Sequence, residues 1–164
     1  MKTLTLLRHA KSSWKDQNLT DRERPLNKRG KRDAPVMGNR MFKAGIRPSL
    51  IVSSPAVRAW KTARIVAREL NYPLEFLQRD DNLYLASLDD LIDVVAAQDQ
   101  SFNSLMLVAH NPGMTDFANY LSPGLTNNLP TAGVVSVLID SDDWLLYERP
   151  RTKLIVHDYP KNVS

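Results

Sequence analysis

The chain has no cysteine among its 164 residues. That one absence excludes disulfides, thiolate metal sites, iron–sulfur clusters and a cysteine nucleophile. Nor does any stretch approach the roughly 18 consecutive apolar residues of a membrane span. The apolar start MKTLTLL is interrupted by Arg8 and His9, short of the apolar core and small-residue cleavage site of a secretory signal. The expectation is a cytoplasmic protein with no membrane partner. Nucleic-acid binding wants basic residues clustered with aromatics or set in a known module. Here Lys and Arg number 22 against 18 Asp and Glu, a net charge of +4. The densest basic stretch, Arg22 to Arg32, is interleaved with Asp21, Glu23 and Asp33. No nucleic-acid partner is expected. With 43% hydrophobic and 24% charged residues, the composition is that of an ordinary globular domain. The length suits a single domain over 1–164, and a monomer is the default expectation.

Strand-like and helix-like segments alternate, which predicts an α/β fold: three layers, with a mostly parallel central sheet flanked by helices. Thr3–Leu7 reads as a first buried strand, followed by a long charged loop over 10–26. Asn27 caps a helix to about Ala44, with Pro35 expected to kink or restart it. Leu50–Ser53 is a short strand. Ser54 and Pro55 then form an N-cap and first-turn pair opening a helix to about Leu70. Ser87–Ala97 is a further helix, Leu105–Ala109 a strand, and Pro112 starts another helix. Val134–Ile139, Trp144–Glu148 and Lys153–His157 read as closing strands, with a hairpin across Ser141–Asp143.

Two of the three histidines stand at equivalent places. His9 follows TLTLL and Arg8, and His110 follows LMLVA, each at the C-terminal end of a strand, where open α/β sheets bind their ligands. Arg8 beside His9 supplies the planar, bidentate donors suited to phosphate. Arg58 falls in the first turn of the second helix, where backbone N–H groups and the helix dipole already favour an anion. Asn111-Pro112-Gly113 offers another helix start. Two arginines, two histidines and two helix N-termini around one point suit a phosphoryl dianion.

The blocks LRHAKSSW, RPLNKRG, SSPAVRAWKTA and VAHNPG stand in the order and spacing of the histidine phosphatase superfamily. From about residue 3 to residue 139 the chain resembles its small SixA-type branch, the phosphohistidine phosphatases. The resemblance implies a phosphoglycerate mutase-like fold with neither metal nor organic cofactor. It implies that His9 is the nucleophile that becomes phosphorylated, that Arg8 and Arg58 bind the phosphoryl oxygens, and that His110 completes the pocket. The commonest first block of that family is Arg-His-Gly. Ala10 stands here in place of the glycine, a change of one methyl group.

A neutral His9 attacks phosphorus only if its other ring nitrogen keeps the proton, which a backbone carbonyl would hold. An alcohol leaving group also needs an acid. Larger family members supply a Glu after the second block or an Asp soon after the first. Asp80 and Asp81 do not match that pattern; Asp16, Asp21 and Glu23 lie in the first loop, and Asp21 is the candidate acid. Arg24 is a candidate substrate-binding residue, set against a salt bridge to Asp21 or Glu23, and Asn111 is another, set against a helix cap. Lys11, Ser12 and Ser13 read as solvated loop, set against a place at the mouth of the site close to His9; His157 reads as structural or exposed, and the three tryptophans as packing or rim residues. A weak or missing acid favours a phosphohistidine-containing protein as substrate over a small phosphate ester. A small-molecule phosphomonoesterase and a non-catalytic phosphate-binding module are the alternatives.

Overall fold

Leu4, Leu6 and Leu7 retain no exposed surface, so the first strand sits in the middle of a sheet. The computed structural model describes residues 1–162. Within them β1 (Lys2–Arg8), β2 (Leu50–Ser53), β3 (Gln78–Arg79), β4 (Ser104–Ala109), β5 (Val134–Ile139) and β6 (Thr152–Asp158) form one sheet. Its order is β3-β2-β4-β1-β5-β6. The run from β3 to β1 is parallel, β5 is antiparallel to β1, and β6 to β5. The sheet is mostly parallel, as the sequence predicts.

Side chains alternate across the pleat. Leu4 and Leu6 pack with Leu91, Val95 and Phe117 of α3 (Leu88–Ala96) and α4 (Gly113–Leu121). Leu7 packs on the other face with Met37, Met41, Ala63 and Val66 of α1 (Lys28–Lys43) and α2 (Val57–Glu69). Each such buried aliphatic side chain is worth roughly 1.5–3 kcal/mol. These helices make the two outer layers.

Several sequence expectations need correction. α1 runs unbroken through Pro35. Its buried face on either side of the proline, Ala34, Met37, Gly38 and Met41, holds both halves in place despite the missing N–H. α2 begins at Val57 with Ala56 as its N-cap residue and no side-chain cap; Ser54 stands before the helix, its Oγ 2.7 Å from His110 Nε2 and accepting from the Ala56 N–H at 3.3 Å. Trp144–Glu148 is not a strand. Trp144 and Leu146 are buried while Leu145 and Tyr147 are exposed, which mimics strand alternation in a segment that only straps the core. Trp144 donates its indole N–H to the Phe102 carbonyl (3.0 Å), and Tyr120 donates to the Leu146 carbonyl (2.7 Å). β6 therefore pairs directly with β5 across a connection from 140 to 151, not across Ser141–Asp143 alone. The two-residue β3 is too short to leave a period in the sequence.

The long loop over 10–26 is fastened at both ends. The Ser13 N–H donates to the Pro25 carbonyl (2.8 Å) and the Asn27 N–H to the Lys11 carbonyl (3.0 Å). Asn27 caps α1 by accepting from the Gly30 N–H at 2.8 Å. A Cβ on Gly30 would lie 2.1 Å from the Lys11 carbonyl oxygen, so the helix start and the residues after His9 touch backbone to backbone. Gly30→Ala is expected to destabilise the protein by about 1–3 kcal/mol, read as a lower urea midpoint. An unchanged midpoint contradicts this packing.

Candidate active site

Parallel pairing brings Arg8 opposite Ala109. The next residues, His9 and His110, therefore leave the sheet side by side, with ring centroids 5.1 Å apart. The His9 N–H donates to the Ala109 carbonyl (3.1 Å), and the His9 carbonyl accepts from the Ala132 N–H (3.0 Å). One further bond ties this strand end to α2: the Ala10 N–H donates to Thr62 Oγ1 (3.0 Å), whose hydroxyl donates to the Arg58 carbonyl (2.7 Å). Ala10 is fully buried, and its methyl group is accommodated within the core on that side.

Both imidazoles are held in defined states. His9 Nδ1 lies 2.7 Å from the Ala10 carbonyl. A carbonyl only accepts, so Nδ1 carries the proton and Nε2 keeps a free lone pair. Ala10 thus supplies the backbone carbonyl that a neutral His9 nucleophile requires. Burial lowers the His9 pKa to about 4, with the positive charges of Arg58, Arg8 and Arg24 acting in the same direction against the Ala10 bond. His110 Nε2 lies 2.7 Å from Ser54 Oγ, and its Nδ1 lies 3.4 Å from Arg58 Nη2. Since Arg58 can only donate, Nδ1 is the acceptor and Nε2–H points to Ser54. Burial, then His9 and Arg58, lower the His110 pKa to about 3. Both rings are neutral at pH 7.

These shifts link acid to unfolding. The ordinary histidine value is 6.5, against about 4 and about 3 here. Between those values the unfolded chain binds more protons than the folded one, so stability falls as the pH drops from 6.5. The thermal midpoint is expected to decrease steadily from pH 7 to pH 4. A midpoint that stays flat over that range contradicts buried, neutral histidines.

The arginines surround a cavity of about 260 Å³ lined by Arg8, His9, Arg24, Arg58, His110 and Asn111, with Lys11, Ser12, Trp14, Leu85 and Thr131. Arg8 donates from Nη1 to the Leu129 carbonyl at 2.9 Å, while its buried Nε has no hydrogen-bond partner. A buried donor left unpaired is costly, and Arg8 is one of the residues that line the cavity. Burial and the adjacent Arg58 push the Arg8 guanidinium below its ordinary pKa, which a bound anion would relieve.

Asp21 ties the remaining arginines together. Its Oδ1 accepts from Arg24 Nη1 (2.8 Å) and its Oδ2 from Arg58 Nη2 (3.0 Å) and from the Tyr84 hydroxyl (2.5 Å). Its backbone carbonyl also accepts from Arg58 Nη1 at 2.6 Å. The Tyr84 bond above all, with those of Arg58 and Arg24, lowers the Asp21 pKa to about 2. The carboxyl is therefore ionised at neutral pH, with no proton to give, and it orients two guanidinium groups. Both readings of Arg24 describe it: it lines the cavity and it pairs with Asp21. The other carboxylates of the first loop serve their own turns: Asp16 accepts from the Asn18 N–H and Glu23 from the Thr20 N–H. Asp80 accepts from the Asn82 N–H, and Asp81 pairs with Arg22.

Asn111 lines the cavity, but its side chain is committed to structure. Oδ1 accepts from the N–H and hydroxyl of Thr115, and Nδ2 donates to Asn128 and to the Leu129 carbonyl. Lys11 and Ser12, read from sequence as solvated loop, line the cavity. Ser54, Tyr84 and Thr62 join the site through contacts that only the fold creates, to His110, Asp21 and the Ala10 N–H. Tyr84 follows the 3-10 turn Asp81–Leu83 and meets His110 edge-on, with centroids 5.5 Å apart; no motif surrounds it. Ser54 carried a signal that pointed to helix capping. Among the described residues, no group of three or more His, Asp or Glu side chains is arranged to hold a metal ion.

Residues 4–110 match the histidine phosphatase superfamily (branch 1). The chain belongs to that superfamily. An uncharacterized chloroplastic protein of Arabidopsis thaliana is 30% identical over 151 residues, covering 86% of this chain and 68% of that one. The crystal structure of the candidate phosphohistidine phosphatase SixA from Agrobacterium tumefaciens has a TM-score of 0.81 at 28% identity, over 97% of this chain and 98% of the other. A mycobacterial glucosyl-3-phosphoglycerate phosphatase shares the fold at a TM-score of 0.68 and 16% identity, over 95% and 98% of the two chains. In this member of the superfamily the four motif blocks converge on one cavity: LRHAKSSW and VAHNPG through adjacent strand ends, SSPAVRAWKTA through the start of α2, and RPLNKRG through Arg24. Among the described residues no helix is long and apolar enough to cross a membrane.

Proposed function

We propose that the protein hydrolyses phosphohistidine, carried on a protein, through a phosphorylated His9. One observation carries this reading: among the described residues no carboxyl group lines the cavity beside the two neutral histidines, and the nearby Asp21 is ionised. The likeness to the Agrobacterium SixA structure supports it.

The chemistry follows from where the protons sit. The Nε2 lone pair of His9 forms a bond to phosphorus as the P–N bond of the substrate breaks. If the second nitrogen of the substrate ring is protonated, the electron pair leaves with a neutral imidazole, and no acid is required. Phosphorylated at Nε2 and protonated at Nδ1 against Ala10, His9 is itself an imidazolium. Water then attacks phosphorus, the P–N pair returns to Nε2, and both water protons leave on dihydrogen phosphate. The charge on the peripheral oxygens of a loose transition state needs fixed donors, which Arg8 and Arg58 supply. His110 lines the pocket beside them as a neutral ring, its Nε2–H directed to Ser54. An alkyl phosphate would instead release an alkoxide, with no acid to protonate it.

The test compares phosphate release by the wild-type protein from a phosphohistidine-bearing protein and from an alkyl phosphate. A preference for phosphohistidine of more than about 100-fold is expected, since a positioned acid contributes on that order or more to ester cleavage. Faster release from the ester overturns the reading in favour of a small-molecule phosphomonoesterase.

A further inference from the structure

Trp14 is the most exposed of the large apolar side chains at 73%, yet it is held in place. The Arg24 guanidinium carbon lies 3.1 Å from its ring centroid. Arg24 is itself buried and fixed: it donates from Nε to the Ser13 carbonyl (3.2 Å), from Nη1 to Asp21 (2.8 Å), and from Nη2 to the Ser12 hydroxyl. A tethered cation thus backs the indole of a residue that also lines the cavity containing His9. Leu85, 56% exposed, lines the same cavity. These two are the cavity's large apolar side chains, set in a ring of charged and polar ones.

An exposed indole with restricted freedom is a preorganised surface, because little ordering remains to be done when a ligand meets it. Its natural complement is a planar ring, which stacks on or meets the edge of an aromatic face. Beside a phosphoryl pocket, that ring is one bonded to the phosphorus being transferred. We propose that Trp14 is a specificity-determining residue that receives the imidazole ring of a phosphohistidine substrate, with Leu85 adding apolar contact. The inference rests on the phosphohistidine reading and deepens it: the arginines select the phosphoryl group, and Trp14 selects the aromatic group leaving it.

Phosphoramidate isolates the effect, because it offers the same P–N bond without a ring. Free phosphohistidine and phosphoramidate are compared as substrates of the wild-type protein, Trp14→Ala and Trp14→Phe. Trp14→Ala is expected to lower the ratio of kcat/KM for phosphohistidine to that for phosphoramidate by about tenfold, chiefly through a higher KM for phosphohistidine. Trp14→Phe restores most of the ratio. An unchanged ratio in Trp14→Ala overturns the proposal, whether both activities fall together, as when Trp14 merely supports Arg24, or neither falls. Failure of the underlying reading looks different: the wild-type protein itself then cleaves an alkyl phosphate faster than either P–N substrate.

Discussion

Replacing His9 with alanine is expected to reduce turnover by on the order of 10⁴-fold or more, the scale seen when a covalent nucleophile is removed. The side chain lies at the junction of β1, β4 and the segment around Ala132, and the remaining pocket does not depend on it. Arg24 and Arg58 are anchored by Asp21, and Arg8 by the Leu129 carbonyl. The variant should therefore still bind inorganic phosphate, read as a phosphate-dependent rise in its thermal midpoint. Loss of turnover with retained phosphate binding assigns His9 to the chemistry. Turnover near the wild-type level removes it from that role.

Arg58→Ala is the second large effect. Arg58 is a buried donor set in the first turn of α2, placed by the chain reversal after Ser53 and held by both the carbonyl and the carboxylate of Asp21. Removing one preorganised donor from a transition-state site costs about 10²–10³ in kcat. A second consequence separates this role from simple structural damage. Arg58 contributes to the lowered pKa of both His9 and His110, so without it both values rise towards 6.5. The acid limb of the pH–rate profile should move to higher pH. An acid limb that stays in place while activity falls contradicts the electrostatic coupling between Arg58 and the two histidines. Asp21→Asn keeps the shape of the bracket but removes its charge. It should cost far less activity than Arg58→Ala, because Asp21 orients donors and gives no proton.

The sequence made His9 and His110 legible because strand ends are where a parallel sheet presents its ligands, and because each stands at the end of a strand-like stretch, TLTLL with Arg8 for His9 and LMLVA for His110. The parallel pairing of β1 and β4 needed only that both runs be buried. Arg58 was legible through its place near a helix start, although the start itself lies later than Ser54 suggested. Ser54 fits a capping pattern and a histidine contact equally well, and only the fold brings it to His110. The role of Asp21 was hidden for the same reason. A carboxylate in a long charged loop reads as an acid, a salt bridge or solvated charge until its partners are known. Those partners, Arg58 and Tyr84, lie 37 and 63 residues away. Trp144 misled in the opposite direction. Its alternation with Leu146 is real, but burial of every second residue does not require a partner strand. The continuity of α1 through Pro35 likewise came from contacts outside the helix.

The most direct test of the account is the position of phosphate on the protein during turnover. The wild-type protein, supplied with a phosphohistidine-bearing protein and quenched in alkali within the first turnovers, should carry one phosphoryl group. Mass spectrometry should place it on His9, and phosphorus NMR should place it on Nε2, because Nδ1 is committed to the Ala10 carbonyl. Phosphate on His110, on Nδ1 of His9, or release of phosphate with no phosphorylated protein at any quench time would contradict the account.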